Sequence, residues 1–266
     1  MAKIVNDKYY TPAELAKHCV DKTKEIVGMD NITEWLEPSG GNGVFLDFLP
    51  IGTYSCDIEP EDDRIKKQDY LELDLDYKER RCIIGNPPFG SKNVLAWQFF
   101  LKSIELGDYI GFILPISQLN NNQQFYQFDL VYSENLGKQL YSDREIHCCF
   151  NIYKRPSEGN RESKINYKLK DIEIKEVRKA RNQFLPTDFN YDLGICSWGY
   201  VGKQVESEGQ YNQEMYIKIN SLKHKDKIID IVLNTNWSEI YPMTTTPRLK
   251  QWQVYKYLKE QIPELE

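Results

Sequence analysis

The 266-residue chain has no apolar run long enough to cross a bilayer, which excludes a helical membrane protein. Its first residues, MAKIVNDKYYTP, lack the apolar stretch of a secretory signal, so a cytoplasmic chain with no membrane partner is expected. Cysteine is scarce: the six residues Cys19, Cys56, Cys82, Cys148, Cys149 and Cys196 include no CxxC pair. Several lie in apolar stretches, so buried reduced thiols are expected rather than a disulfide framework. The three histidines, His18, His147 and His224, are scattered, with no ligand spacing, and no metal site is expected. Positive charge is also short: 34 Lys and Arg stand against 40 Asp and Glu, a formal net charge of −6. That excludes a generic polyanion binder, because phosphate contacts need cations.

What is present is unevenly distributed. Residues 56–80 hold ten acids and five bases, whereas 154–181 hold ten bases and five acids. Any nucleic-acid surface is therefore expected in the second stretch, with Lys154, Arg155, Arg161 and Lys164 as candidate contacts. Aromatics are plentiful (18 Tyr, 11 Phe, 5 Trp) and supply a core. Trp198, Tyr200 and Trp237 are assigned to it, and the amide run Asn120–Gln124 to a solvated loop.

Apolar spacing predicts helices over 12–28 and 94–106, the first with Leu15, Cys19 and Ile26 on its apolar face. ITEWLEP, TYSCDI, RIKKQ, RCIIG, DYIGFILP and EIHCCFNIYKR read as strands, and VFLDFL as the start of a helix. Strands alternating with helices predict a doubly wound α/β sheet over residues 1–155. The polar, Gly- and Pro-punctuated segment 155–164 reads as a linker or loop. Residues 156–266 read as a small α+β appendage, or as extra strands on the main sheet.

Four strand tips carry chemistry-bearing residues. The turn EPSGGNG follows the first strand, where Gly41 and Gly43 let a ligand approach the backbone. It lacks the Lys and Ser/Thr of a phosphate loop, and Glu37 beside it would repel a triphosphate but suit an ammonium or sulfonium group. CDIEP places Asp57 where a ribose diol is commonly bound, with Ile58 able to cover an adenine face. QDYLEL supplies Asp69 for an exocyclic amine, with Tyr70 beside it. An amine, a ribose and an adenine amino group together describe S-adenosylmethionine. At the fourth tip stand Asn86, Pro87, Pro88 and Phe89. The prolines end the strand and stiffen the chain. The Asn86 side-chain oxygen and a backbone carbonyl can then accept both N–H bonds of an adenine amine. That directs its lone pair at a methyl donor while Phe89 stacks on the base.

In this order the motifs resemble those of the adenine-N6 DNA methyltransferases, over roughly residues 8–155, with the motif order of the gamma subgroup. NPPF matches the catalytic motif in full, and EPSGGNG resembles the first cofactor motif with Glu in place of the commoner Asp. KYYTP resembles the N-terminal motif, which implies cofactor contacts at Tyr10, Thr11 and Pro12. Pro38 and Ser39 join Glu37, Gly41, Gly43, Asp57, Ile58, Asp69, Tyr70 and Asn86 in the implied cofactor set. CCFNIYKR resembles the strand whose aromatic contacts the flipped base, which implies Phe150 beside Phe89. The implied fold is a Rossmann-like class I S-adenosylmethionine-dependent methyltransferase sheet with a small C-terminal α+β appendage. The implied activity is methyl transfer to adenine N6 in DNA after base flipping, within a restriction-modification setting, with residues 156–266 as a target-recognition region. NPPFGSKN also resembles a ribosomal-RNA adenine methyltransferase, so RNA stays open as substrate. So do a non-catalytic scaffold subunit and an accessory or specificity subunit as a further partner.

Overall fold

The computed structural model describes residues 10–141, 144–243 and 245–266. The chain divides into two compact units between Ile165 and Asn166, ten residues beyond the boundary read from composition. Segment 155–164 stays with the first unit because its side chains bond there. Arg155 pairs with Asp108, and Arg161 with Asp129.

The first unit opens with helix α1 (Ala13–Val27), which Pro12 caps and Gly28, at φ +85°, ends. Its buried face is Leu15, Ala16, Cys19, Val20, Thr23 and Val27. Ile26, expected on that face, stays 37% exposed. Strands β1 (Glu34–Glu37), β2 (Tyr54–Asp57) and β3 (Lys66–Lys67) follow, then β4 (Arg81–Gly85), helix α2 (Val94–Leu106) and β5 (Tyr109–Pro115). The long hairpin of β6 (Asp129–Tyr141) and β7 (Arg144–Lys154) completes a seven-stranded sheet ordered β3-β2-β1-β4-β5-β7-β6. β7 runs opposite to the other six strands, pairing antiparallel with both β5 and β6. This order makes an open, doubly wound, Rossmann-like α/β sheet with an antiparallel hairpin at one edge.

Strand alternation sends side chains to both faces, and both are covered. Leu36, Ile83, Ile110, Phe112, Leu114 and Tyr153 meet Phe99 and Phe100 of α2 on one side. Trp35, Cys82, Ile84, Ile113, Phe150 and Ile152 meet α1 on the other. A strand buried on two faces needs a near-continuous apolar run, as in RCIIG and YIGFILP. All six cysteines are buried, and Cys148 and Cys149 point to opposite faces.

Two expectations are corrected, and one strand appears that the sequence did not announce. VFLDFL forms successive turns rather than a helix, because the Pro50–Gly52 turn leaves too few residues to nucleate one. The Asn120–Gln124 run is no solvated loop: Asn121 is buried and donates to Gln118 Oε1 at 3.1 Å, while Gln118 donates to Gln124 at 2.7 Å. Strand β6 carries no readable alternation, since two bulges, at 130/132 and 135/137, break its period of two.

The second unit holds an antiparallel sheet of its own, so its strands do not extend the first. Its order is β8-β10-β9, from β8 (Ile172–Arg178), β9 (Leu193–Cys196) and β10 (Gln213–Ile219). Helices α3 (Lys225–Asn234), α4 (Trp237–Ile240) and α5 (Gln251–Gln261) cover one face, where Met215, Ile217 and Ile219 meet Val232, Trp237 and Leu258. Trp198 and Tyr200, expected in the core, are exposed on the turn that Gly199 and Gly202 make at φ +81° and +83°.

Candidate active site

Chain order around the sheet reverses between β1 and β4. An open α/β sheet leaves its ligand crevice at such a point, outside the carboxyl ends of the strands. Glu37 ends β1, Asp57 ends β2 and Asn86 follows β4, so the sheet brings three of the four motif tips to this edge. Asp69 follows β3 two residues on.

Glu37 is fully buried, and Ser55, its register partner on β2, donates to Oε2 at 2.9 Å. Its other oxygen, Oε1, is buried without a hydrogen-bond partner among the described residues. Burial pushes the carboxyl up to about 7; the Ser55 bond opposes this, and Asp57 adds to it. An orphaned buried acceptor on an acid held near neutrality fits a cationic ligand.

The glycine turn is built tightly. A Cβ on Gly40 would lie 2.4 Å from Ser55 Oγ and 2.8 Å from Ile65 Cδ1, so this residue, overlooked in the sequence, holds the turn against β2. Gly41 has φ +52° and open space above it. Its N–H bonds Asp57 Oδ2 at 2.9 Å, while Asp57 Oδ1 takes the N–H of Glu59 at 2.8 Å. Each carboxylate oxygen retains a second lone pair for a diol. Ile58 is 52% exposed, an apolar surface beside that acid. Gly43, at φ +78°, lies under Asp62 and Arg64, and Arg64 also pairs with Asp47 at 2.8 Å. Asp69 Oδ1 caps the turn at Leu71 N, leaving Oδ2 outward of that bond.

The Asn86–Phe89 segment is tied to both flanking motifs. Ser39 Oγ donates to the Asn86 carbonyl at 3.1 Å, and Asn86 Nδ2 donates to Thr11 Oγ1 at 3.2 Å. Thr11 is buried, and Tyr10 donates to Glu61. Of the four carbonyls of this segment, Asn86 O takes Ser39 and Phe89 O takes Ala96 N. Those of Pro87 and Pro88 accept no hydrogen bond among the described residues. Phe89 is half-buried, packed on the α1 face. Beyond it Gly90, Lys92 and Asn93 all have positive φ (+66°, +55° and +63°). Such strain in consecutive non-glycine residues is sustained only where the surroundings impose it.

The structure does not bring the remaining candidates to the crevice. Tyr70 is buried in the core, its ring 5.1 Å from Phe99 and its hydroxyl 2.8 Å from Ser103 Oγ on α2, so it offers a cofactor no side-chain surface. Phe150 is fully buried under α1 and presents nothing to a base. Lys154 pairs with Tyr109, the first residue of β5, which puts it at the opposite edge of the sheet, about 20 Å from the tips. Arg155 there bonds Asp108 at 2.7 Å and the Gly107 carbonyl at 2.8 Å, and Arg161 bonds Asp129. Both guanidinium groups hold the fold. Lys164 is exposed, with no tie to the crevice.

No family profile and no curated protein matches the chain. Solved structures do. A presumptive RNA methyltransferase from Pyrococcus horikoshii aligns over 58% of this chain and 89% of its own, at 17% identity and a TM-score of 0.46. The 23S rRNA methyltransferase ErmE aligns over 59% and 73%, at 11% identity and 0.43. A type I restriction-modification methyltransferase subunit from Streptococcus thermophilus covers 97% of this chain, which spans 59% of that subunit, at 12% identity and 0.43. At such scores no residue role passes from them to this chain, whose fold class rests on its own strand order.

Proposed function

We propose that the chain is an S-adenosylmethionine-dependent methyltransferase acting on the N6 amine of adenine in DNA. The observation that carries the reading is the convergence of a buried, half-satisfied Glu37, the Asp57 tip and a fixed Asn86 at one sheet edge. When bound, S-adenosylmethionine supplies a methyl group on a sulfonium sulfur. Glu37 Oε1 suits its ammonium, Asp57 its ribose diol, Ile58 one face of its adenine and Asp69 its adenine amine. Tyr10, Pro12, Pro38, Ser39 and Gly43 frame that volume.

Asn86 does the orienting. An adenine amine is a poor nucleophile because its lone pair is delocalised into the ring. Hydrogen bonds from that amine to Asn86 Oδ1 and to the Pro87 or Pro88 carbonyl draw the nitrogen toward tetrahedral geometry. Acceptors fixed beforehand need no reorganisation as charge develops on the nitrogen. Asn86 Nδ2 donates to Thr11 Oγ1, which holds the amide in place, and Ser39 anchors the Asn86 backbone. Phe89 stacks on the base, which must leave a duplex to reach the crevice.

DNA is preferred to RNA because Tyr10-Thr11-Pro12 resembles the N-terminal motif of the DNA-methylating family. The test is methyl incorporation from labelled S-adenosylmethionine into matched DNA and RNA oligonucleotides, read by nucleoside mass spectrometry. N6-methyladenine in the DNA is the expected product. The same product in RNA alone transfers the reading to RNA, and label on another base or on protein refutes it.

A further inference from the structure

The loop that follows β2 is fastened to the glycine turn more firmly than a surface connection requires. The Glu61 N–H bonds the Gly41 carbonyl at 2.9 Å, and the Glu59 N–H takes Asp57 Oδ1 at 2.8 Å. Arg64 pairs with Asp62 and Asp47 and donates to the Gly43 carbonyl at 3.4 Å. A Cβ on Gly43 would fall 2.6 Å from Asp62 Oδ2, so loop and turn are packed to contact. Segments 59–64 and 40–43 thus hold one another in place. Glu61 itself is exposed, and its carboxylate accepts from the Tyr10 hydroxyl.

Tyr10 belongs to an arm, 10–12, whose other two residues are fixed elsewhere. Thr11, buried, accepts from Asn86 Nδ2 at 3.2 Å. The Pro12 carbonyl accepts from the N–H groups of Leu15 and Ala16, each at 3.0 Å, which carries the arm into α1 without slack. In the sheet, β1 lies between β2 and β4. Strands at ordinary spacing put the tips of β2 and β4 about 10 Å apart. Two consecutive residues, one bonded beyond β2 and the other beyond β4, must therefore cross the tip of β1. Glu37 and the glycine turn lie there. The Asn86 amide is thus tied to Thr11 directly, and to the glycine turn by way of Tyr10 and Glu61.

An exposed tyrosine–carboxylate bond contributes little to stability, because water competes for both partners. An ionised acceptor still makes a shorter and stronger bond than a neutral one, and fixing Tyr10 restricts where its neighbour Thr11 can lie. We propose that Glu61 is a positioning residue for Asn86. It pins Tyr10, and through the arm it sets the Asn86 amide relative to the glycine turn. A ligand seated on the turn then steadies the arm as well, a coupling carried by order rather than by displacement. Glu61 touches neither the reacting amine nor the methyl donor. The role given to Asn86 rests on the methyltransferase reading; the pinning of the arm does not.

Two measurements on the full chain test the proposal. The first needs no turnover: hydrogen exchange at the Thr11 amide with and without S-adenosylhomocysteine. The bound ligand is expected to slow exchange about five- to tenfold in wild type, and less than about twofold in Glu61→Ala or in the ring-preserving Tyr10→Phe. Glu61→Gln keeps an acceptor and should behave as wild type. The second is the single-turnover rate of methyl transfer to adenine at saturating S-adenosylmethionine, beside the cofactor dissociation constant. Glu61→Ala should slow this rate about five- to tenfold, with the dissociation constant within about threefold and the melting midpoint unchanged. Glu61→Gln should restore most of the rate. Because the two residues act through one bond, Glu61→Ala/Tyr10→Phe should be no slower than the slower single variant. Asp63→Ala removes an exposed acid from the same loop and should match wild type.

No protection of Thr11 in wild type, a loss confined to cofactor affinity, multiplied losses in the double variant, or an equal loss in Asp63→Ala overturns the proposal. If wild type methylates DNA and Glu61→Ala does so at the same rate, the positioning role falls and the enzymatic reading stands. If the ligand protects Thr11 only while Glu61 is present, yet wild type methylates no nucleic acid, the pinning stands and the enzymatic reading falls.

Discussion

At the residue scale, Glu37 gives the site a pH dependence whose sign can be worked out. Its carboxyl rises from 4.5 to about 7, chiefly through burial. The native state thus keeps a proton that the unfolded chain loses. Stability falls as pH rises from 4.5 to about 7 and is level above that. A cationic ligand needs the ionised form, so S-adenosylmethionine should bind up to about tenfold tighter for each unit that pH rises toward 7, releasing a proton as it binds. Calorimetry in buffers of different ionisation enthalpy measures both effects. Glu37→Gln should weaken binding, flatten this dependence, and raise the melting midpoint of the ligand-free protein at pH 8. A binding constant independent of pH would count against the ammonium assignment. Thr11 offers a second test. Thr11→Val removes the hydroxyl that holds the Asn86 amide in place and should lower kcat about five- to tenfold, with Thr11→Ser restoring it. A rise in KM with kcat unchanged would mean that Thr11 only contacts the cofactor. The places of Glu37, Asp57 and Asp69 at or just beyond strand ends were legible because apolar runs and their stops mark where a strand finishes. Tyr70 was not, because adjacency to Asp69 says nothing of which way a side chain points inside a short helical turn.

At the scale of elements, the glycine turn separates two residues that look alike in sequence. Gly40→Ala meets Ser55 and Ile65 and should cost about 1–3 kcal/mol, visible as a lower melting midpoint. Gly41→Ala meets no atom within 4 Å and has only its φ of +52° to accommodate, so its cost should be smaller, about 1 kcal/mol. The reverse order would mean that the turn is not held against β2 as described. Tyr70→Phe should cost about 1 kcal/mol through the lost Ser103 bond and leave cofactor affinity unchanged. Strands β1, β2, β4, β5 and β7 were readable from apolar runs and their stops. Strand β6 was not, since its bulges erase the alternation that marks a strand. Phe150 was misread for a related reason: with both faces of β7 covered, no side chain in mid-strand reaches solvent.

At the scale of the whole molecule, net charge and local charge give different answers. A chain of net charge −6 should bind nucleic acid through few phosphates. A log–log salt slope no steeper than about −3 to −4 is expected, and a slope near −8 would contradict it. The basic stretch at 154–181 drew attention by composition, yet Arg155 and Arg161 within it close the amino edge of the sheet. Sequence counts charges but cannot show which are already paired.

The most direct measurement is the single-turnover rate of methyl transfer to adenine by Asn86→Ala, taken beside its cofactor dissociation constant. With Asn86 as the orienting acceptor, the rate should fall roughly 10²–10³-fold while the dissociation constant stays within about twofold. A rate equal to that of wild type would contradict the account, because the chemistry would then lie elsewhere than at the tip of β4.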